Sequence, residues 1–490
     1  MRYSLRRTGM GMLFLALIIL CGESTDVSLS LLLRRGVRFF DIAGAMIPPE
    51  TSYARVVLAP LWATVQMSLA GTGIGAVLGL VGASFANAYL NPHAWLRIPF
   101  KTIIHLIRTI PALILALLCT FLVGLGTLAG TLALSIYTTV VMVRMGYEDM
   151  ENADLRAAQA LEAAGCGRLR AFIRAVLPAV LAGYLINVLY MLEANVRHAA
   201  ILGYVGAGGI GILLNERLAW REYSEVGMIL LLLYVVVLLT EGVSEWLRQV
   251  LSGRSHLSRM KKVLLLLTLA VLFFSSFQTL VLPDMDGKGM AAAAAIMQGI
   301  LHPDWSMIFS LAHDGVPWLL YETFCIAFLG TLGGTVIAAW FSFSASFRLL
   351  PVPAALASRL ILLLIRAVPV FVYGLMWIRV TGPGPFAGVL TLSLCSVGLL
   401  AKRFLIAIDD IRLEPRYGAA VLYRFDVNLR DAAILGLVGA GGIGTPLILA
   451  MMHYEWAAAG ALLWGMTGLV TIVEIFSEWL RKKQRLSEIQ

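Results

Sequence analysis

The sequence predicts an all-α polytopic membrane protein, built as a tandem parallel repeat of about six transmembrane helices in each half. Three observations carry that prediction. Of the 490 residues, 59% are hydrophobic and only 14% charged, with a mean hydropathy of +0.85, a composition outside that of soluble domains. Runs such as residues 228–240 and 263–274 carry no charge, and with their flanks they approach the ~20 apolar residues that span a bilayer. Long motifs recur between the first and second halves, and that repetition sets the organisation of the chain.

The net charge of +9 is distributed as a topology signal, not as a nucleic-acid footprint. Arg2, Arg6 and Arg7 precede the first span, and Arg248, Arg254, Arg259, Lys261 and Lys262 fall in a central linker. Arg481, Lys482, Lys483 and Arg485 follow the last span. Basic residues between spans favour the inner side, so both termini and the linker are expected in the cytoplasm of a bacterial-type inner membrane protein. The N-terminus also resembles a signal peptide, but no small-residue cleavage site follows it, and Leu20 before Cys21 argues against a lipoprotein site. The five cysteines, Cys21, Cys119, Cys166, Cys325 and Cys395, are scattered, and they imply neither a metal site nor a disulfide framework.

The repeat is read from its motifs. AAILGYVGAGGIGILL at residues 199–214 returns as AAILGLVGAGGIGTPL at residues 432–447, an offset of 233, and SEWLR at residues 244–248 returns at residues 477–481. LIRTIPAL at residues 106–113 matches LIRAVPVF at residues 364–371 at an offset of 258, so 25 residues are missing inside the second copy. Residues 1–250 are read as the first half and 251–490 as the second. Spans are expected near residues 8–22, 61–88, 103–123, 127–146, 176–203 and 226–245 in half one. In half two they are expected near 263–282, 321–345, 358–379, 385–408, 418–437 (a poor span by hydropathy) and 457–480.

Each VGAGGIG contains a literal G-x-G-x-x-G: Gly206, Gly208, Gly209 and Gly211, then Gly439, Gly441, Gly442 and Gly444. A dinucleotide site would need a strand before the glycines and an acidic residue about 20 positions on, within a βαβ unit. A long hydrophobic helix precedes Gly206 instead, and the chain has no G-x-x-x-x-G-K-[ST]. The glycines therefore read as a turn that permits close helix approach, and equally as a mobile turn in an outer gate.

Charges inside the spans are duplicated. Glu193, Asn195 and Arg197 correspond to Asp426, Asn428 and Arg430. The i,i+4 spacing predicts that each acid faces its base across one helical turn. Such groups at membrane depth either neutralise one another near a helix end or line a path at the repeat interface. Arg108 and Arg366, each three residues before a proline (Pro111, Pro369), read as cytoplasmic anchors or as path residues. The prolines are expected to kink their helices.

Between spans lies the stretch AAQALEAAGCGRLRAFIRAVLP, rich in helix formers and broken at Gly165. A short helix in a cytoplasmic loop suits docking of a partner. This loop resembles the EAA loop of ABC-importer permeases, with Gln159, Ala160, Leu161, Gly165, Ala175, Leu177 and Pro178 on the family's positions; Gln159, Leu161 and Ala175 depart from the usual residues. Together with LIRTIP, the acid-x-Asn-x-Arg run and LGxVGAGGIG, the chain is similar to the phosphonate-transport permease family, as two permease domains fused. The resemblance implies a type I ABC-importer-like permease fold. It also implies two ATP-binding partner subunits, which would carry ATP and its hydrolysis, and an extracytoplasmic substrate-binding protein delivering phosphonate or a related phosphorus oxyanion. No cofactor is expected in this chain itself, no catalytic or metal site and no nucleic-acid partner. Half two departs from the pattern, because no Gly-x11-Leu-Pro follows its fourth span, so weak or absent ATPase coupling is expected there. The alternative reading is a stand-alone secondary transporter or channel for a small anion, which tolerates repeats and buried charges equally well. A membrane enzyme lacks support in the motifs.

Overall fold

The computed structural model describes residues 2–253, 267, 270–277, 288–409 and 417–487, and every regular element among them is helical. Most of the span expected at residues 263–282 lies outside the described residues. Among the described residues, seven helical segments are long and apolar enough to cross a membrane: Thr51–Ala86, Thr127–Glu151, Arg168–Val205, Tyr223–Leu251, Val316–Ser344, Pro385–Asp409 and Trp456–Leu480. The number rises to 10 if three bent helix pairs each count as one span.

The chain packs as two compact units, residues 46–293, and residues 1–45 together with 294–490. The repeat boundary at residue 250 is therefore not the packing boundary. In the first unit, α4 (Ala54–Ala86) lies along α7 (Thr127–Glu151), α10 (Leu177–Leu202) crosses both, and α12 (Tyr223–Leu251) packs on α10. Glycines bring α4 and α7 close: a β-carbon at Gly71, Gly75 or Gly79 would stand 2.5–2.6 Å from the Cβ of Leu134, Thr138 or Met142, nearer than any side chain tolerates. Small residues one turn apart are how membrane helices approach when lipid is as apolar as their side chains. α5 (Ala94–Thr109) and α6 (Ala112–Val123) meet at 95°. The continuous span expected at residues 103–123 is broken because Pro111 has no N–H to donate and holds Ile110 extended (ψ 124°).

The second unit repeats the plan. α15 (Val316–Ser344) lies along α18 (Pro385–Asp409), α19 (Tyr417–Leu435) crosses both, and α21 (Trp456–Ser487) covers α19. A β-carbon at Gly330 would meet the Cβ of Leu392 at 2.6 Å. α16 (Val352–Ala367) and α17 (Val370–Thr381) meet at 90°, so the span expected at residues 358–379 is broken at Pro369 as well. The segment expected at 418–437 is a helix of 19 residues, α19, but does not qualify as a span; its neighbours cover it. α1 (Arg2–Ser24) packs against α15, and α2 (Leu29–Arg35) and α3 (Val37–Ala45) against α17. There Phe39 stacks on Trp377 with ring centroids 4.4 Å apart. The opening helices of the sequence thus pack on the second repeat, where Cys21 and Phe39 are buried.

Candidate translocation and coupling site

The duplicated motif on α10 is the structural centre of the first unit. Asn195 is fully buried, and its Nδ2 donates to Thr72 Oγ1 on α4 (2.8 Å) and Thr138 Oγ1 on α7 (2.7 Å). Asn428 does the same in the second unit, donating to Thr331 Oγ1 on α15 and Ser396 Oγ on α18, both at 2.8 Å. One side chain ties three helices in each repeat. In an apolar setting a donor without such acceptors would be costly, so the knot selects one packing of the three.

The acids do not pair as the spacing suggested. Glu193 accepts from Arg248 Nη1 of α12 at 2.6 Å, with both side chains buried (7% and 11% exposed), and not from Arg197 one turn on. Arg248 also bonds Glu245 and lies over the Tyr190 ring. In the second unit Asp426 accepts from Ser477 Oγ of α21 at 2.8 Å, while Arg430 Nε reaches the backbone carbonyl of Asp426 at 3.3 Å. Arg248 and Ser477 belong to the two copies of SEWLR, so the two repeated motifs are partners. The acid on the crossing helix is the socket for the last helix of each half. Arg197 and Arg430 are half-buried. The second unit adds a buried cation: Arg424 donates to Ser396 Oγ at 3.0 Å and lies 3.7 Å from Asp431, where the first unit carries Met191 and His198. These charges, which spoil the hydropathy of this segment, neutralise one another inside the packing.

Arg108 and Arg366 end the helices that precede the breaks. Arg108 Nη2 lies 3.3 Å from His105 Nδ1, and the Arg366 stem packs on Gly398. Both glycine motifs fold identically. Gly206, Gly208 and Gly209 have φ of 78°, 80° and 76°, and Gly439, Gly441 and Gly442 have 83°, 80° and 73°, a region closed to most other residues. The turn is clasped. Ile210 N donates to Thr64 Oγ1 and Ile443 N to Thr323 Oγ1, each at 2.8 Å, and Gly126 N and Gly384 N donate to Gly206 and Gly439 carbonyls. Gly211 and Gly444 leave room for the backbone of Ala200 and Ala433. In the second unit Glu322 adds a bond from Gly442 N at 3.1 Å.

The segment expected to form the coupling loop folds as α8 (Arg156–Ala163), a left-handed turn at Gly165 (φ 86°), α9 (Arg168–Ala171) and a π-helical turn, Phe172–Val176, that runs into α10 at Leu177 and Pro178. Its inner face is anchored: Ala158, Ala171, Phe172 and Val176 are buried with Ala83 and Met150, and Leu161, Ala175 and Leu177 pack against them. Tyr89 donates its hydroxyl to Glu162 at 2.8 Å, and Arg168 lies over the Tyr89 ring. Burial, then the bond to Glu162, holds the Tyr89 hydroxyl above its ordinary pKa. The Asp154 carboxyl sits below the usual range because Arg156 donates to it. The outer face presents Gln159, Ala160, Gly165 and Leu169, the last 61% exposed.

Both repeats reach the same clasp just before this point. Lys101 bonds Glu151 at 2.9 Å and Arg359 bonds Asp409 at 3.2 Å; each carboxylate also accepts from the end of the neighbouring helix, at Ala88 N and Ser346 Oγ. After Glu151 the first unit continues into α8. After Asp409 only seven residues, 410–416, precede α19. Tyr417, the first residue of α19, stands at the repeat position of Tyr184, a third of the way along α10.

The model of the family described as binding-protein-dependent transport system inner membrane component matches residues 71–287. The chain is 27% identical over 466 residues to a phosphate-import permease protein of Mycolicibacterium smegmatis, covering 89% of this chain and 87% of that protein. It is 34% identical over 208 residues to a phosphite transport system permease protein of Stutzerimonas stutzeri, covering 42% of this chain and 76% of the relative. A putative cryptic phosphonate transport system permease protein of Escherichia coli is 34% identical over 118 residues, 24% of this chain and 97% of that protein. No solved structure matches. The chain belongs to the binding-protein-dependent transport system inner membrane component family, as a multi-pass permease subunit of double length.

Proposed function

We propose that this chain is the membrane permease of an ATP-driven importer for a phosphorus oxyanion, phosphonate, phosphite or phosphate. Two cytoplasmic ATP-hydrolysing subunits and an extracytoplasmic binding protein serve it, and both termini lie in the cytoplasm. The relatives support the substrate class by name, and arginines suit such oxyanions through charge-assisted bonds. One observation carries the coupling: an anchored surface helix with an exposed, small-residue outer face stands in the first unit, while the second passes from α18 to α19 within seven residues. ATP-driven motion therefore enters chiefly through the first unit.

ATP-dependent uptake in proteoliposomes, with co-expressed ATPase and binding protein, tests this reading. Intact protein should accumulate phosphonate, phosphite or phosphate with ATP, and Gly165→Asp, which places a side chain on a left-handed residue of the docking face, should abolish accumulation. Flux without ATP that survives the substitution would establish an independent anion transporter instead.

A further inference from the structure

Cys21 and Cys325 lie 304 positions apart, yet their sulfurs stand 2.8 Å from each other, both side chains fully buried. That separation is within an ångström of a bonded pair (~2.05 Å). The surroundings align the two helices at this level and not merely the two atoms. Phe14 meets Phe328 edge-on at 5.7 Å one side of the pair, and Tyr321 donates to the Leu20 carbonyl at 3.3 Å on the other. The Cys21 carbonyl is held by both Ser24 Oγ (3.1 Å) and Thr25 Oγ1 (2.7 Å), so the end of α1 is pinned where the sulfur leaves it. The remaining cysteines, Cys119, Cys166 and Cys395, have no thiol partner among the described residues.

We infer that Cys21 and Cys325 form a disulfide that staples α1, the first helix of the sequence, to α15 of the second repeat. Cys21 lies three residues from the end of α1. With the N-terminus in the cytoplasm, as in the reading above, that end faces the oxidising side of the membrane, where disulfides form and persist. The two thiols lose two protons and two electrons as the S–S bond forms. An extracytoplasmic disulfide oxidant accepts both and leaves as a dithiol. Oxidation precedes burial, as α1 docks on α15 during assembly. The bond then closes a loop that includes the whole first unit, residues 46–293, so it holds together by covalent chemistry the two segments, residues 1–45 and 294–490, that pack as one unit.

The test is made on the full chain with a protease site inserted after Gly253, purified in two portions, one alkylated at its free thiols in acid-quenched cells for the gels and one left unalkylated for thiol counting and oxidant treatment. After cleavage, the two fragments should migrate as one band in denaturing gels without reductant and separate with it. Cys21→Ser and Cys325→Ser should each separate them without reductant. Thiol counting on the uncut chain should give three reactive cysteines in denaturant and five after reduction. Separate fragments and five free thiols in the matured protein overturn the disulfide, even if copper-phenanthroline later joins them. Separation that persists with that oxidant overturns the juxtaposition itself. Labelling of a Ser30→Cys reporter by an impermeant maleimide reads the orientation independently, so a misplaced terminus is distinguished from a failed pairing.

Discussion

Glu193 on α10 accepts a hydrogen bond at 2.6 Å from Arg248 on α12, 55 residues away in sequence, and this pair seats the last helix of the first repeat. Removing one member of a buried pair leaves the other charge uncompensated. Glu193→Gln is expected to destabilise the permease by about 3 kcal/mol, the low end for such a loss, because Arg248 keeps its bond to Glu245. Thermal unfolding in detergent checks this, and Glu193→Gln combined with Arg248→Met should recover much of the stability. A single variant as stable as the parent would refute the seating role.

The asparagine knots carry a parallel expectation. Asn195→Leu removes both bonds to Thr72 and Thr138 and leaves two hydroxyls to find new partners, about 1–3 kcal/mol. Asn428→Leu should be similar or worse, since Ser396 also serves Arg424. Adding Thr72→Val and Thr138→Val to Asn195→Leu should reduce the loss, read as a rise in the unfolding midpoint.

Helix approach is tested by one methyl group. Gly75→Ala puts a β-carbon 2.5 Å from Thr138 Cβ and should cost about 1–3 kcal/mol by overpacking. Gly242→Ala, with open space around it, should be neutral or slightly stabilising. Equal unfolding midpoints for the two variants would contradict the close packing of α4 on α7.

Gly209→Ala combines two penalties, a positive-φ extended backbone (φ 76°, ψ −166°) that essentially only glycine adopts (about 1–3 kcal/mol) and a β-carbon 2.7 Å from Thr64 Oγ1, the hydroxyl that clasps Ile210 N. Proteolysis of the folded protein in proteoliposomes should become faster at this turn, with Gly442→Ala behaving alike in the second unit. Unchanged proteolysis in both would remove the clasp from the account.

Leu169 projects from the anchored coupling segment with 61% of its surface exposed. Leu169→Glu should leave unfolding unchanged while lowering ATP-driven uptake at least tenfold and releasing the ATPase during copurification. Retained uptake with a bound ATPase would move the docking face elsewhere.

Legibility in sequence followed the range of the interaction. Hydropathy and helix period are local, so the spans at residues 127–146 and 385–408 were readable, and the proline positions told where α5–α6 and α16–α17 break, though not that the turn approaches a right angle. The two glycine motifs were readable as tight turns for the same reason, because positive φ is a property of the residue itself. The i,i+4 pairing was misread at Glu193: spacing on one helix names candidates, but the face that meets α12 selects the partner. The threonine and serine hydroxyls that receive Asn195 and Asn428 gave no signal, since they sit singly in apolar spans far away in the chain.

By itself, then, the amino-acid sequence determined the membrane-spanning class, the duplication, the missing 25 residues of half two and the helix of the loop after Glu151, all set by local composition and repetition. Only the tertiary structure decided that SEWLR closes on the acid motif in each repeat, that one asparagine ties three helices, and that α1 belongs with α15. Those are choices among helix faces of similar hydropathy, and in an apolar solvent they are settled by close packing and by which buried polar groups find partners.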